Sequence, residues 1–362
     1  MRMAISGIGI SGGFGCGVAA LRQALQRGVV EPRQCSVERN GAIDTFPAYR
    51  TSLEGLDEFI PKRALRRIDH FSKMTLHSAC LALQDARLSG GDLSRMGVII
   101  ATGYGALKTT FDFLDSYLDF GYSCSSPTHF SNSVHNAAAA HVSMQFKATA
   151  PSLTVTQFEM SVPSALLTAQ LWLAEGRVDQ VLFGTIDEYC AVLRYCRRQF
   201  FATGEQGPLQ PFTFTEQSAV VGEGAAFFVL SRGEEDARYG AIDAVTLGNH
   251  AVVPLTLPHD DLLIIGADGH AKCGRWYAQA LTGRAVAAYA PLYGSFPAAA
   301  GFDLAVAALS QQDGILYASP ATAGAADSAL QVVAARRPLG KANIVCLKFG
   351  PGGDYGLIRL SR

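Results

Sequence analysis

Glu159 is the residue that bears most directly on chemistry in this chain, in a segment that reads PSLTVTQFEMS over residues 151–161. β-Branched residues such as Val155 predict a strand, and the apolar run after residue 161 predicts a helix. Glu159 therefore stands in the tight turn between them. Such a turn presents a side chain at a helix N-terminus, where backbone N–H groups and the helix dipole favour a thiolate. This sequence places a carboxylate there instead, and a carboxylate is a poor acyl acceptor.

Histidines and cysteines elsewhere in the chain could also bind a ligand or react. His129, His135 and His141 are six residues apart, which matches neither i, i+4 on a helix nor alternate positions on a strand. We therefore expect no metal site there. His141 has the context of a packing and hydrogen-bonding residue. Cys190 and Cys196 could supply a substitute nucleophile, but core packing on a helix is the simpler interpretation.

A glycine pattern near the N-terminus resembles a nucleotide-binding turn. Gly7, Gly9 and Gly12 follow a predicted strand and precede a predicted helix, as in a dinucleotide-binding fingerprint. That fingerprint also needs an acidic residue at the end of a second strand about 20 positions later. Glu31 is the nearest acid and stands beside a proline. We therefore expect a structural role for these glycines and no cofactor.

Composition excludes several classes of protein. The chain has 362 residues, of which 49% are hydrophobic and 17% charged, with a formal net charge of −1. No basic run is present, so nucleic acid is not an expected partner. No apolar stretch approaches the ~20 residues of a membrane span, and no signal-peptide pattern precedes the first strand. Eight cysteines without a C-x-x-C pair predict reduced thiols and a cytoplasmic location.

Seven segments, in order along the chain, resemble those of β-ketoacyl synthases. They read MAISGIGISGGFGCGVAALRQAL (3–25), LRRIDHFSKMTLHSACLALQDAR (65–87), GVIIATGYG (97–105), SSPTHFSNSVHNAAAAHVSMQF (125–146), PFTFTEQSAVVGEGAAFFVL (211–230), YGSFPAAAGFDLAVAAL (293–309) and LKFGPGGDYGLIRL (347–360). The segment 211–230 is the most specific match, and the segment 151–161 is similar to the family's nucleophile turn. Architectural glycines also match at Gly222, Gly224, Gly301, Gly352 and Gly353.

The chain differs from this family at the positions that carry the family's catalytic residues. A working ketosynthase uses a cysteine to hold the acyl chain and two histidines to stabilise developing negative charge. On this pattern the cysteine position is Glu159. The first histidine position is Gly266 or Asp268, with His270 nearby at a different offset. The second histidine position is filled by Ser295, and the family's gating phenylalanine by Pro351.

The resemblance leaves Glu159 two roles. It could cap the following helix by accepting backbone N–H bonds, an effect of about 0.5–2 kcal/mol. It could instead help a partner site or support decarboxylation of malonyl groups. We favour the cap, because without the two histidines little stabilises the enolate that decarboxylation releases.

The family resemblance implies an α/β fold of the thiolase type, with five layers arranged as helix, sheet, helix, sheet, helix. It implies two related halves, which we place at residues 1–232 and 233–362. A predicted strand, turn and helix recur in both, at 151–175 and again at 287–309.

The resemblance also predicts a function without catalysis. We expect a chain-length-factor-like subunit that pairs with a catalytically intact ketosynthase in a heterodimer. The partner supplies the reactive side chains and the dock for the acyl carrier protein, and this chain completes the tunnel for the growing acyl chain. The pathway would be polyketide or fatty-acid-like, with aryl polyene synthesis as the finer assignment. The predicted strand at 151–156 would pair with its counterpart in the partner.

Tunnel and interface residues follow from the same resemblance. They are Tyr104, Phe111, Leu114, His129, Phe130, Thr154, Thr156 and Phe158. The aromatic stretch at 111–122 has a second interpretation as an amphipathic helix on the core. Two other functions stay open: an active decarboxylase or acyltransferase with a relocated site, using Glu159, Asp268, His270 or a cysteine, and a homodimeric protein that binds an acyl chain.

Overall fold

A computed structural model describes residues 1–39, 42–200, 208–233, 236–257, 261–320, 330–340 and 342–362. Its strands are β1 (Met3–Gly12), β2 (Gly15–Cys16), β3 (Arg33–Arg39), β4 (Ala42–Ala48), β5 (Met96–Thr102), β6 (Ser152–Thr156), β7 (Gln180–Asp187), β8 (Gly224–Arg232), β9 (Ala241–Asn249), β10 (Leu262–Ile265), β11 (Ala285–Ala287), β12 (Ile315–Leu316), β13 (Gln331–Val332), β14 (Arg337–Pro338), β15 (Ile344–Phe349) and β16 (Asp354–Ser361).

The α-helices are α1 (Gly17–Arg27), α2 (Leu56–Phe59), α3 (His70–Asp85), α4 (Leu107–Phe120), α5 (Pro127–Ser133), α6 (Ala137–Phe146), α7 (Ser161–Ala174), α8 (Ala191–Phe200), α9 (Ala271–Ala280) and α10 (Ala300–Asp313). Short 3-10 turns lie at Ala64–Arg67, Tyr122–Cys124, Phe158–Met160, Ala290–Leu292 and Pro297–Ala299. In the described parts of the chain, none of these helices combines the length and the apolar character that crossing a bilayer requires.

The two halves of the chain repeat one strand order. Across the sheet, the strands of the first half lie in the order β6, β5, β7, β8, β1. Those of the second half lie in the order β11, β10, β15, β16, β9. In both, the first two pairings are parallel and the last two antiparallel. The halves join where β1 pairs with β9, with Met3 opposite Ile242. The boundary that we placed after Arg232, where β8 ends, stays a prediction.

Alternate side chains of the inner strands pack on opposite faces of the sheet, as the twofold period of a strand requires. In β8, Phe227 packs into a core with α3 and α6, and Phe228 packs into the central core. In β15, Cys346 faces the central core, and Leu347 packs into a third core with residues of α9. Strands that are buried on both faces require helical layers on each side. The result is five layers, in the order helix, sheet, helix, sheet, helix.

Helices α7 and α10 form the middle layer. Each contacts strands of both halves. All residues of α10 from Ala300 to Gln311 are buried, and most of them are apolar, as expected for a helix inside the core. The helix approaches β7 closely at Gly301, where a Cβ atom would lie 2.1 Å from Thr185 Oγ1. The beginnings of these two helices lie at the site described below.

The N-terminal glycine pattern is explained by helix packing. A Cβ atom at Gly9 would lie 2.0 Å from the carbonyl oxygen of Ser78 in α3, and one at Gly7 would lie 2.6 Å from that of Ala82. The two glycines therefore let β1 and α3 approach with their backbones almost in contact. This is a structural role, as the sequence predicted.

We expect Gly9→Ala to lower the free energy of unfolding by about 3 kcal/mol, because the clash is with backbone atoms that cannot move independently. The matched control is Gly91→Ala, at an exposed position where a Cβ atom would meet only the Leu88 carbonyl at 3.4 Å. Urea denaturation followed by circular dichroism measures both. Equal stability of the two variants would contradict the packing role of Gly9.

Candidate functional site

A strained turn connects β6 to α7 and presents Glu159. Phe158 adopts φ 47°, a left-handed conformation that costs a non-glycine residue about 1–2 kcal/mol. Buried Ser161 holds the turn: its Oγ accepts the Gln157 N–H at 2.7 Å and lies 2.8 Å from the Thr102 carbonyl, to which it can donate. The Phe158 ring packs edge-on against Tyr104, with ring centres 5.8 Å apart.

Glu159 is half-buried in this turn. Helix α7 has Met160 as its N-cap residue, and no side chain makes a capping hydrogen bond there. Glu159 stands one residue before that N-cap and its carboxyl accepts a hydrogen bond from its own backbone N–H, so its predicted capping role stays a prediction. Burial raises the pKa of the Glu159 carboxyl, and the nearby Asp268 carboxylate adds to the rise, against the attraction of Lys348.

A buried ion pair occupies the region where the family's histidines would act. Lys348 Nζ lies 3.1 Å from Asp268 Oδ2 and donates to the Gly266 carbonyl at 2.8 Å. The Ser295 hydroxyl donates to the same Asp268 oxygen at 3.0 Å. Burial by itself would raise the pKa of Asp268, but Lys348, His270 and the hydrogen bonds together hold it below its usual value. A Cβ atom at Gly266 would lie 2.7 Å from Lys348 Cδ, so the missing side chain makes room for the lysine.

A second carboxyl group lies deeper, at the start of α10. Asp303 is fully buried and accepts a hydrogen bond from the Tyr293 hydroxyl. Burial raises its pKa to about 7, against the hydrogen bond and the attraction of Lys348. Asp303 can therefore change charge near neutral pH, beside an ion pair that stays charged.

Asp187 fixes the walls of the site to one another. Its Oδ1 accepts hydrogen bonds from the Thr102 hydroxyl at 2.8 Å and from the N–H groups of Gly103 and Tyr104 at 2.9 and 3.1 Å. Its Oδ2 accepts the Ala298 N–H at 2.9 Å. One buried carboxyl thus ties the turn after β5 to the turn before α10. Burial raises its pKa to about 6.

A cavity of about 540 Å³ opens between these walls. Its lining includes all of the substituted catalytic positions and three of the predicted tunnel residues. They are Glu159, Asp268, His270, Ser295, Pro351, Tyr104, Phe111 and Phe158. The remaining lining residues are Leu107, Val192, Leu193, Cys196, Arg197, Lys272, Cys273, Phe296 and Pro297. Positions far apart in sequence therefore meet at one site.

The other five predicted tunnel and interface residues lie outside the cavity lining. Leu114 and Phe130 are exposed on α4 and α5, and His129 is half-buried beside Phe130. Thr154 and Thr156 lie on β6, at the edge of the sheet. The structure thus separates one predicted group into a cavity wall and an outer surface.

The loop of Pro351 closes one side of the cavity and is firmly held. The Pro351 carbonyl oxygen accepts hydrogen bonds from the Arg275 side chain at 3.0 Å and from the Trp276 indole at 3.1 Å. Within the loop, the Gly350 N–H donates to the Asp354 carbonyl at 2.8 Å. These bonds fix the loop where the resemblance implies a gate.

The structure confirms some of the predicted roles of the cysteines and histidines and contradicts another. Cys190 is buried with Phe46 and Tyr189, which confirms core packing for this thiol. The same interpretation of Cys196 is wrong, because α8 turns that side chain to the cavity. His141 Nε2 lies 3.1 Å from Asn132 Oδ1, which confirms a hydrogen-bonding role. Among the described residues, no group of three or more histidine, cysteine, aspartate or glutamate side chains is placed to hold a metal ion.

Sequence reasoning missed several residues of the site. Ser161 and Asp187 are short polar side chains beside buried elements, a common arrangement that does not stand out in a sequence. Arg197 on α8 and Lys272 on α9 line the same cavity only because the tertiary structure brings these distant positions together. Lys348 carried a usable signal, since a lysine inside the apolar strand IVCLKF needs a buried partner.

Comparisons with known proteins agree with the sequence resemblance. The family model for "Beta-ketoacyl synthase, N-terminal domain" matches residues 20–236. A putative polyketide β-ketoacyl synthase 1 from Streptomyces virginiae is 26% identical over 255 residues, which cover 66% of this chain and 60% of that protein. A 3-oxoacyl-[acyl-carrier-protein] synthase 2 from Staphylococcus aureus is 24% identical over 253 residues, with the same coverage of 66% and 60%. The match thus spans about three fifths of each relative.

Solved structures show the same fold over the whole chain. A β-ketoacyl synthase from Burkholderia phymatum has a TM-score of 0.81 at 17% identity, covering 100% of this chain and 99% of that one. The ishigamide ketosynthase/chain length factor has a TM-score of 0.80 at 18% identity, with coverage of 99% and 98%. The ketosynthase ApeO in complex with its chain length factor ApeC, from Xenorhabdus doucetiae, gives 0.79 at 16% identity, with coverage of 99% and 97%. The predicted thiolase-like α/β fold is confirmed.

Glu188, next to Asp187, links the site to the start of α4. Its Oε1 accepts the Lys108 N–H at 2.8 Å, and its buried Oε2 has no hydrogen-bond partner. Burial raises its pKa to about 8, and the nearby carboxylates of Asp69 and Glu223 contribute to the rise. At neutral pH the Glu188 side chain is therefore largely protonated.

We expect Lys348→Met and Asp268→Asn each to lower the free energy of unfolding by about 3–5 kcal/mol, because each leaves one buried charge uncompensated. The double variant should recover a large part of that loss. Chemical denaturation of the four proteins gives the coupling energy as a double-mutant cycle. Additive losses would contradict a direct buried ion pair.

We expect the stability that Glu188 contributes to fall as pH rises. Its folded-state pKa of about 8 exceeds the ordinary value of 4.5, so the contribution is complete below pH 4.5 and is lost through pH 8. Glu188→Gln cannot ionise. The unfolding free energy of the native protein minus that of the variant should therefore decrease between pH 5 and pH 9. Exposed Glu58→Gln is the control, and a difference that is constant with pH would contradict the assignment.

Proposed function

This chain belongs to the β-ketoacyl synthase family, and we propose that it is a chain-length-factor-like subunit without catalytic activity of its own. In this proposal it pairs with a catalytically intact ketosynthase, and the pair condenses carrier-protein-bound acyl chains with loss of carbon dioxide. The observation that carries the proposal is an exposed apolar surface around the edge strand β6, which adjoins a turn that lacks a thiol.

The apolar surface extends from β6 over the neighbouring helices. Strand β6 contacts α6 and α7. Helix α5 contacts both α6 and α4. Large hydrophobic side chains are exposed along this whole path. They are Leu114, Tyr117, Leu118, Phe120, Tyr122, Phe130, Val134, Met144, Leu153, Phe158 and Leu171. An apolar surface of this extent is rare on a monomer and marks a protein interface.

The position of β6 at the edge of the sheet favours pairing with a second chain. Strand β6 pairs with β5 along one side and ends the sheet on the other. A sheet edge with exposed apolar residues is a template for pairing with a second chain. We therefore propose that β6 pairs with a partner strand and that the interface is of the obligate class, about 2,000 Å² or more.

The side chains of the site support a silent subunit. Glu159 replaces the thiol. The Ser295 hydroxyl already donates to Asp268, and the Lys348 ammonium is held by Asp268 and the Gly266 carbonyl. These donors bond to Asp268 and to the Gly266 carbonyl, so they are not directed at negative charge that develops on a substrate. Burial raises the pKa of the Cys273 thiol well above its usual value, which makes it a weak replacement nucleophile.

The substrate class follows from the same pairing. The growing acyl chain would be attached to the partner, which also docks the acyl carrier protein, and its far end would approach Phe158 and Phe111. A polyketide or fatty-acid-like product is the broad proposal, and an aryl polyene is the finer one, because the surface and cavity are rich in aromatic walls. We also propose a cytoplasmic location, which the seven free cysteines among the described residues support.

We expect this protein, co-expressed with a catalytically intact ketosynthase from the same organism, to purify as a one-to-one complex. Leu118→Arg should weaken that complex by at least about tenfold, because it places a charge in an apolar interface. Native mass spectrometry and analytical ultracentrifugation measure both. Val252→Arg is the matched control, since Val252 is 78% exposed and Leu118 is 76% exposed.

Two results would contradict the proposal. A homodimer that forms equally well without the ketosynthase would assign the apolar surface to self-association. Turnover of malonyl or acyl carrier substrates by the isolated chain would show that the site is active.

A further inference from the structure

Helix α4 lies on the outside of the molecule. The structure describes all 14 of its residues, and Thr109 is the single buried one among them. The Thr109 hydroxyl donates to Asp69 at 3.1 Å, and the ring of Phe113 packs against that of Phe130, with ring centres 5.3 Å apart. Helix α8 and the turn Tyr122–Cys124 also contact α4. These contacts leave much of the helix exposed, so its outer face is available to a second molecule.

The outer face of α4 carries an apolar row beside an acidic row. Residues four positions apart lie above one another on a helix, so Leu114 and Leu118 form one row and Asp115 and Asp119 form the next. Leu114 is 42% exposed and Leu118 is 76% exposed, and both aspartates are exposed as well. Half-buried Asp112 extends the acidic row towards the start of the helix. An interface that covers the leucines would therefore also meet the carboxylates.

The acidic row is unfavourable for α4 by itself. Asp115 and Asp119 are four residues apart, a spacing at which like charges repel. Asp119 also lies in the last turn, where the negative end of the helix dipole disfavours an anion and where no basic residue is present. Lys108 pairs with Asp112, and neither Asp115 nor Asp119 has an ion-pair partner among the described residues. Cations from outside this chain would relieve this repulsion.

The charge of this surface distinguishes a second copy of the chain from a different partner. In a twofold pair of identical chains, the same surface of each copy faces the other. Helices α4, α5 and α6 carry the neutral pair of Lys108 and Asp112, the carboxylates of Asp115 and Asp119, and the exposed ammonium of Lys147. With histidines counted as neutral, one negative charge remains. Two copies would therefore meet with like charge, whereas a basic partner would meet with opposite charge.

We propose that the acidic row of α4 selects the partner of this chain: Asp115 and Asp119 attract basic side chains of the ketosynthase subunit and repel a second copy of this chain. The inference rests on the pairing proposed above and adds the charge that the partner must present. The leucines supply the apolar area of the contact. The carboxylates act mainly on the rate of association and on the exclusion of self-pairing, as charges at the rim of an interface do.

Association with the immobilised ketosynthase, followed by surface plasmon resonance, tests the attraction. Replacing both carboxylates, in the double variant Asp115→Lys, Asp119→Lys, should lower the association rate constant at least about tenfold in about 50 mM salt, and much less in about 1 M salt. The matched control is Glu54→Lys, Glu58→Lys, which changes the net charge equally at two exposed acids four residues apart. Equal rate constants for the two double variants would overturn the proposal.

Self-association of the isolated chain tests the repulsion. The neutral double variant Asp115→Asn, Asp119→Asn should self-associate severalfold more strongly than the native protein in low salt, because like charges no longer face each other. The same variant should associate more slowly with the ketosynthase, so the two measurements move in opposite directions. Analytical ultracentrifugation gives the self-association constant. A constant no larger than that of the native chain would contradict selection against self-pairing.

The outcomes separate this inference from the pairing on which it rests. A one-to-one complex that forms equally fast with and without the carboxylates would contradict the inference and leave the pairing intact. A native protein that forms no complex with the ketosynthase would contradict the pairing, and the inference with it. Urea denaturation checks the fold of each variant, and its midpoint should not fall, because the replaced carboxylates repel each other and the end of the helix. If the lysine variant does not fold, the asparagine variant gives the same comparison with a smaller expected loss.

Discussion

The middle layer of two buried helices is the constraint on which the rest of this molecule depends. Helices α7 and α10 contact strands of both halves, so neither half can close its core without the other. The N-terminal ends of both helices meet at the cavity, one after the strained turn at Phe158 and the other after the turn Pro297–Ala299. The carboxyl of Asp187 ties the second turn to the end of β5. The geometry of the site is thus a direct consequence of how the core is packed.

Within this scaffold, the polar side chains of the site bond to one another. A ketosynthase needs a thiol and donors that meet negative charge as it develops, whereas Lys348, Asp268 and Ser295 satisfy one another here. A buried ion pair of this kind is costly to separate, because either charge alone would be left without solvent. Its formation requires Gly266, since any side chain there would displace the lysine. The glycine at position 266 and the buried ion pair are therefore structurally coupled.

The outer surface and the cavity have different physical characters. The surface around β6 is apolar and ends in an unpaired strand edge, features that favour a second protein chain. The lining of the cavity combines apolar and aromatic side chains with ionisable ones such as Glu159 and Asp268. Phe158 belongs to both, because it is 57% exposed and also lines the cavity. A ligand in the cavity and a partner on the surface would therefore meet at this ring.

The sequence by itself predicted the fold through its resemblance to β-ketoacyl synthases, and glycines at places of close packing belong to the matching segments. Gly9 and Gly301 show this, since each marks a place where two elements nearly touch. The sequence also indicated that Glu159, Asp268, Ser295 and Pro351 belong to one site. Only the tertiary structure decided what they do there. The ion pair of Asp268 joins residues 80 positions apart, and the exposure of α4 depends on which neighbours cover it. Such contacts between distant segments leave no local pattern, because they depend on how whole layers stack.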